Sequence, residues 1–111
     1  MYDKYKTIER EIESDGTGTI IAKVLGKRIL VTSLVLSEHR EPDQRPSSLA
    51  IMTHDGGTTG WKVMGNIEMD QPLILPFHPH GWFMSEVGHG LIFSGGIEAR
   101  TINGCMTYRE V

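Results

Sequence analysis

The amino-acid sequence predicts an all-β domain of about eight short antiparallel strands. The first observation is composition: isoleucine, valine and threonine supply 26 of the 111 residues, whereas alanine supplies only three. Side chains branched at Cβ fit pleated sheets better than helices. The second observation is spacing, because turn residues recur about every 8–12 positions. Short strands separated in this way are typical of a sandwich, a jelly roll or a small barrel.

The strongest strand signals lie in the first third of the chain. Residues 19–25 and 28–37 are rich in β-branched side chains and are separated by Gly26 and Lys27, which predicts a tight hairpin. Within the second segment, residues 29–36 are apolar on both faces. This strand is therefore expected to be central in a sheet, or to change faces at a β-bulge.

The remaining strands are predicted from β-rich segments between turn residues. Pro72 and Pro76 place the segment around them at the edge of a sheet, or limit the strand to the residues between them. Gly95 and Gly96 predict a second hairpin. The expected strands are residues 48–53, 61–64, 71–77, 91–94, 97–102 and 105–111.

Charge is concentrated at the start of the chain. The first 45 residues carry 16 charged side chains and the other 66 carry nine. Mixed-sign runs over residues 3–15 and 38–45 are typical of a solvated face, or of a segment that docks on a charged partner. We therefore expect residues 1–15 to form an N-terminal arm outside a β domain of residues 16–111. The charge-poor remainder should expose neutral surface suited to subunit contacts.

Composition also argues against several classes of protein. Eleven basic and 14 acidic residues give a net charge of −3, so a nucleic-acid partner is not expected. The apolar runs are far shorter than a membrane span, so a membrane is not an expected partner either. Cys105 is the only cysteine, which excludes an intrachain disulfide, and we expect it to be a buried residue of the last strand. No nucleophile elbow or phosphate loop is present, so we predict neither enzymatic activity nor a cofactor.

A possible metal site lies between residues 78 and 89. His78 and His80 would project to the same face of a strand, and Glu86 and His89 follow soon after. This arrangement is similar to the cupin pattern, but Glu86 lies six residues after the second histidine, where cupins place it four or five residues on. The downstream cupin motif is also absent. We therefore favour structural or surface roles for these histidines over metal binding.

Large aromatic side chains offer two further interpretations. Phe77, Trp82 and Phe83 are predicted to be core residues or anchors of a self-association interface. Alternatively, Trp61 or Trp82 could be the stacking platform of a carbohydrate-binding jelly roll.

The order of several segments resembles a known family. Residues 18–22, 26–31, 76–83, 90–93 and 104–111 are similar to segments of small proteins that decorate tailed-bacteriophage capsids, called cement or staple proteins. The resemblance spans residues 17–111. Its most specific parts are the Gly-Lys-Arg turn at residue 26 and the Pro-x-Gly-Trp-Phe segment that begins at Pro79.

The resemblance implies a single jelly-roll-like β-sandwich on the outer surface of an icosahedral virion, made in the host cytoplasm. Its partner would be the major capsid protein of the same phage, and the family contributes no catalytic residues. A homodimer is the default assembly. The candidate capsid contacts are Tyr2, Tyr5, Ile8, Ile12, Arg40 and Arg45.

Overall fold

The computed structural model describes residues 5–13, 17–39, 41–43, 45–46, 48–56, 62–95 and 101–111. Within these ranges the chain forms β-strands, and no helix long and apolar enough to cross a membrane is present. The strands are β1 (Lys6–Glu13), β2 (Thr17–Ile21), β3 (Ile29–Glu38), β4 (Ser48–His54), β5 (Lys62–Glu68), β6 (Leu73–Leu75), β7 (Phe83–Met84), β8 (Gly90–Gly95) and β9 (Thr101–Glu110).

The strands form two antiparallel sheets. The first sheet has the order β1-β9-β3-β6, with β7 also paired to β3, and the second sheet has the order β2-β8-β4-β5. Strands β6 and β7 pair with different parts of β3, so they act as two halves of one interrupted strand. Counted so, eight strands are divided between two sheets in the order of a jelly roll. The predicted all-β, jelly-roll-like sandwich is confirmed.

The hydrophobic core lies between the two sheets. Leu34 and Leu36 enter it from β3, while Leu49 of β4 and Phe93 of β8 enter from the other side, and all four are almost fully buried. They belong to one continuous cluster of buried side chains. Burial of apolar surface at about 25 cal/mol per Å² is the main force holding such sheets together.

Strand β3 contributes side chains to this core on both sides of a β-bulge. It lies between β9 and β6, and its pairing with β9 shifts by one residue at Thr32, which is a β-bulge. Ile29 and Val31 face the core before the bulge, and Leu34 faces it after the bulge. An extra residue changes the alternation of a strand. The predictions of a central strand and of a face change at a bulge are both confirmed.

Two predicted hairpins are wrong. The turn at Gly26, closed by a 3.1 Å bond from the Lys27 N–H to the Val24 carbonyl, connects β2 of the second sheet to β3 of the first. Likewise β8 and β9 belong to different sheets, and residues 96–100 between them lie outside the described ranges. In both cases the two strands bury their apolar residues from opposite sides of the core, so they cannot be neighbours in one sheet.

The N-terminal arm is also a wrong prediction for residues 6–13. Strand β1 pairs with β9 along its whole length, from Lys6 opposite Tyr108 to Glu13 opposite Thr101, and Ile8 packs against the core. Without β1, this edge of β9 would expose unpaired backbone groups. Charged residues suit such a position, because they discourage pairing with other molecules.

Two smaller expectations concern the last strand and the segment between the prolines. Cys105 is exposed rather than buried, because it alternates with Met106, which faces the core. The three residues of β6 lie between Pro72 and Pro76 at the edge of the first sheet, as predicted.

Candidate binding surface

The outer face of the first sheet carries an unusual row of apolar side chains. Val35 of β3 lies opposite Ile74 of β6 on one side and opposite Cys105 of β9 on the other. Val35 is 43% exposed and Ile74 is 64% exposed. Along a strand of an antiparallel sheet, apolar residues that face the core normally alternate with polar residues that face water. A contiguous apolar row there is typical of an interaction surface.

The loop of residues 76–82 extends this row. It leaves the sheet after β6 and returns at β7, anchored on consecutive carbonyl groups at the bulge of β3. The His78 N–H donates to the Thr32 carbonyl and the Trp82 N–H to the Val31 carbonyl, both at 2.8 Å. Between these anchors, the Gly81 N–H closes a turn on the His78 carbonyl at 2.9 Å.

The aromatic side chains of the loop lie partly in solvent. Phe77 is 54% exposed and meets the ring of Tyr5 edge-on, with centroids 5.2 Å apart. Trp82 is 44% exposed, and its indole Nε1–H donates to the Pro76 carbonyl at 2.7 Å. Arg109 lies 6.0 Å from the centre of the Tyr5 ring. We name the exposed apolar side chains of this sheet and loop the apolar face: Val35, Ile74, Phe77, Trp82, Met84 and Cys105.

The predicted anchor residues divide between this face and the core. Phe83 packs against the buried cluster, as its position opposite Val31 requires. Phe77 and Trp82 remain exposed on the apolar face. Trp61, the other candidate stacking platform, lies outside the described residues.

Three of the six candidate capsid contacts have described side chains, and these lie in different places. Tyr5 stands against Phe77 beside the apolar face, whereas Ile8 contributes to the core. Arg45 is exposed in the connection between β3 and β4. Tyr2, Arg40 and the side chain of Ile12 lie outside the described residues. Of the three described candidates, only Tyr5 therefore lies beside the apolar face.

The four candidate metal ligands separate into two pairs. The rings of His78 and His80 lie 5.7 Å apart in the loop, while His89 Nε2 lies 3.6 Å from Glu86 Oε2. No group of three potential ligands is present among the described residues, which include all four. The cupin-like alternative therefore lacks a ligand set.

Glu86 has a different partner. Its carboxylate accepts a 2.6 Å hydrogen bond from Lys62 Nζ, and this bond holds the pKa of Glu86 below its usual value. Any stabilisation from the lowered pKa is present above the pKa of the unfolded state, and it is lost as the pH falls through the folded-state pKa. Glu86 therefore forms a surface ion pair with Lys62.

Ser85 is a structural residue that the sequence did not reveal. Its hydroxyl accepts the Ile29 N–H at 2.8 Å and reaches the carbonyls of Glu86 and His89 at 3.1 Å. The Ser85 N–H also donates to the Ile29 carbonyl at 2.9 Å. This exchange joins β7 to the start of β3 and supports the end of the loop that carries the apolar face.

Substitution Ser85→Ala is expected to lower the free energy of unfolding by about 1–3 kcal/mol, because it leaves the buried Ile29 N–H without its acceptor. Urea denaturation monitored by circular dichroism measures the loss. The matched variant Ser48→Ala changes an exposed serine of β4 and should cost less than about 0.5 kcal/mol. Equal effects of the two variants would contradict this role for Ser85.

Comparison with known proteins adds little to this geometry. No protein-family model matches the chain, and no curated protein sequence is significantly similar to it. Among solved structures, the crystal structure of the Yersinia pseudotuberculosis-derived mitogen is similar. It is 16% identical with a TM-score of 0.43, and the match covers 93% of this chain and 83% of that one. The strand order and pairing by themselves define the jelly-roll fold.

Proposed function

We propose that this chain is a capsid decoration protein of a tailed bacteriophage. It binds the major capsid protein on the outer surface of the icosahedral shell and staples neighbouring capsomers, as a homodimer. The observation that carries the proposal is the apolar face. Exposed apolar side chains grouped on a sheet and its adjoining loop, here Val35, Ile74 and Trp82, are typical of an interaction surface. Most of the candidate capsid contacts lie in residues 1–15, which were expected to form an arm. Because residues 6–13 form β1 of the first sheet, we assign capsid binding to the apolar face instead.

The dimensions of the domain suit such a contact. It measures 47 × 34 × 18 Å, so its broad sides offer more than the roughly 800 Å² that each partner contributes to a standard interface. A decoration protein binds only the assembled lattice, and its binding free energy then adds to the stability of the shell. A dimer that contacts two capsomers at once also gains avidity without any new type of contact.

Co-sedimentation with empty capsids assembled from the major capsid protein of the same phage tests the proposal. We expect the chain to pellet with capsids and to remain in solution with the unassembled capsid protein. A chain that stays wholly in the supernatant with intact capsids would refute the decoration function.

A pair of matched variants tests whether the apolar face makes the contact. Substitution Ile74→Glu places a charge on the face and should weaken capsid binding about tenfold or more, since burying such an aliphatic side chain contributes about 1.5–3 kcal/mol. The control Val63→Glu changes a 60% exposed side chain on the second sheet and should bind like the wild type. Equal binding by both variants would place the contact elsewhere.

A carbohydrate-binding function is the second candidate, and Trp82 is the observation that favours it. Its indole ring is partly exposed and is held in place by the bond to Pro76, which suits a stacking platform. A glycan array with wild-type protein and Trp82→Ala distinguishes this function. Silence of the wild type, or binding that survives the substitution, would remove Trp82 as a sugar platform.

A further inference from the structure

We propose that the loop of residues 76–82 is a pH-responsive element, held in its neutral-pH conformation by the unprotonated imidazole of His78. The inference goes beyond capsid binding and does not depend on it, because it concerns contacts within the loop. It rests on the hydrogen bond that the His78 side chain makes, on the surroundings of that side chain, and on the exposed residues that the loop carries.

The His78 side chain makes a hydrogen bond inside the turn of residues 78–81. Its Nδ1 atom lies 3.1 Å from the backbone nitrogen of His80, whose N–H donates to it. An imidazole nitrogen can accept only while it carries a lone pair, so the proton of His78 resides on Nε2. When a second proton binds, both nitrogens become donors. The Nδ1–H then faces the His80 N–H, and this bond of the turn is lost.

His89, next to β8, has side-chain partners of a different kind. His89 Nδ1 lies 3.3 Å from the Thr53 hydroxyl, and its Nε2 lies 3.6 Å from Glu86 Oε2. A hydroxyl group can accept as well as donate, and a carboxylate attracts an imidazolium. His89 can therefore bind a proton and keep its partners, whereas His78 loses one.

His54 repeats the acceptor arrangement at a separate turn. Its Nδ1 atom lies 3.0 Å from the Gly56 nitrogen at the end of β4. Readouts from residues of the 76–82 loop are needed to separate the two turns.

No ion pair of the described residues places a carboxylate against His78. The ring contacts described at the loop bring three titratable or charged side chains near it: His80 within it, Tyr5 against Phe77, and Arg109 of β9 beyond the Tyr5 ring. Strand β3 contributes backbone carbonyl groups that already accept N–H groups of the loop. Among the described residues, the ion pairs of the structure include neither His78 nor His80.

The Trp82 ring is the alternative partner of a protonated His78. The two ring centroids are 5.9 Å apart, within the range of a cation–π interaction. Protonation therefore removes the bond to the His80 N–H and strengthens the contact with the indole, which changes the balance of contacts that hold the loop. Because Phe77 and Trp82 belong to this loop, protonation of His78 changes the exposed aromatic surface.

Two-dimensional ¹H–¹⁵N NMR of the full chain, recorded from about pH 7.5 to about pH 5, tests the inference. We expect the His80 amide and the Trp82 indole resonances to move together with the protonation of the His78 ring. In His78→Asn the side-chain oxygen can accept the same N–H without titrating, as asparagine does in tight turns. This variant should lose the pH-dependent shift of the Trp82 indole resonance, while His80→Gln, which removes the other imidazole of the loop, should retain it.

A His80 amide that stays in place while the His78 ring titrates would overturn the inference. A pH-dependent shift of the Trp82 indole resonance of wild-type size in His78→Asn would overturn it as well. Should that variant perturb the fold, visible as displaced core resonances, the wild-type titration decides alone, because it compares the His78 ring with the His80 amide in one sample.

Discussion

Substitution Phe93→Ala is expected to lower the free energy of unfolding by about 3–5 kcal/mol, the range for truncating a buried phenylalanine. Phe93 is 1% exposed and lies in β8, which pairs with β2 on one side and with β4 on the other. The sheets cannot close fully over the space that its ring leaves. Single domains are stable by only about 5–15 kcal/mol, so the variant should unfold at markedly lower urea concentration.

Phe77→Ala is the matched control for this experiment. The same ring is removed, but Phe77 is exposed and its described ring contact is Tyr5. An aromatic pair of this kind contributes about 0.5–1.5 kcal/mol, and the loss should not exceed that range. Urea midpoints that shift equally for the two variants would contradict the assignment of Phe93 to the core and Phe77 to the surface.

Substitution Gly81→Ala is expected to cost about 2–5 kcal/mol, from two separate causes. Gly81 has a φ of +79°, a conformation that L side chains rarely adopt. A Cβ atom there would also lie 2.3 Å from Leu30 Cδ1, 2.7 Å from Leu30 Cγ and 3.1 Å from the Val31 carbonyl oxygen. Either the Leu30 side chain or the loop must therefore shift, and a shift of the loop weakens the anchors of His78 and Trp82 on β3.

Gly26→Ala separates the two causes. Gly26 has a similar φ of +74°, but no atom would lie within 4 Å of its Cβ. Only the backbone strain remains, so we expect a loss of about 1–2 kcal/mol. Urea denaturation gives both values, and the Trp82 indole resonance should shift in Gly81→Ala alone. Equal costs would show that the approach of the loop to Leu30 is not tight.

The sequence was a reliable guide to the class of fold because that information is local. β-branched residues and frequent turns are properties of short segments, and they correctly indicated a sandwich of about eight strands. The continuous apolar run of β3 identified a central strand, and Pro72 and Pro76 marked the edge position of β6. Each of these properties follows from the backbone hydrogen bonds and the burial that one strand requires.

Strand partners were not predictable in the same way. Gly26 and Lys27 form a turn, but a turn does not determine whether the chain continues in the same sheet or crosses to the other. The charges of β1 suggested a solvated arm, whereas pairing with β9, about a hundred residues away in the chain, places these residues in a sheet. Such pairing depends on the other end of the molecule, which a local pattern does not contain.

The apolar face was predicted only in part. Phe77 and Trp82 stood out because large aromatics are conspicuous in any sequence. Val35 and Ile74 were missed, since an aliphatic residue in a strand is normally expected to be buried. Their exposure follows from the bulge at Thr32, which reverses the alternation of β3 and decides which side chains face water.

Local sequence patterns were sufficient to predict an all-β domain, the residues of most strands, the turn at Gly26 and the aromatic segment before β7. The tertiary structure alone decided which strands are neighbours, that Cys105 is exposed, and that the loop of residues 76–82 is anchored at the bulge of β3. The physical reason is range: strand and turn preferences act over a few residues, whereas pairing and burial depend on groups that only folding brings together.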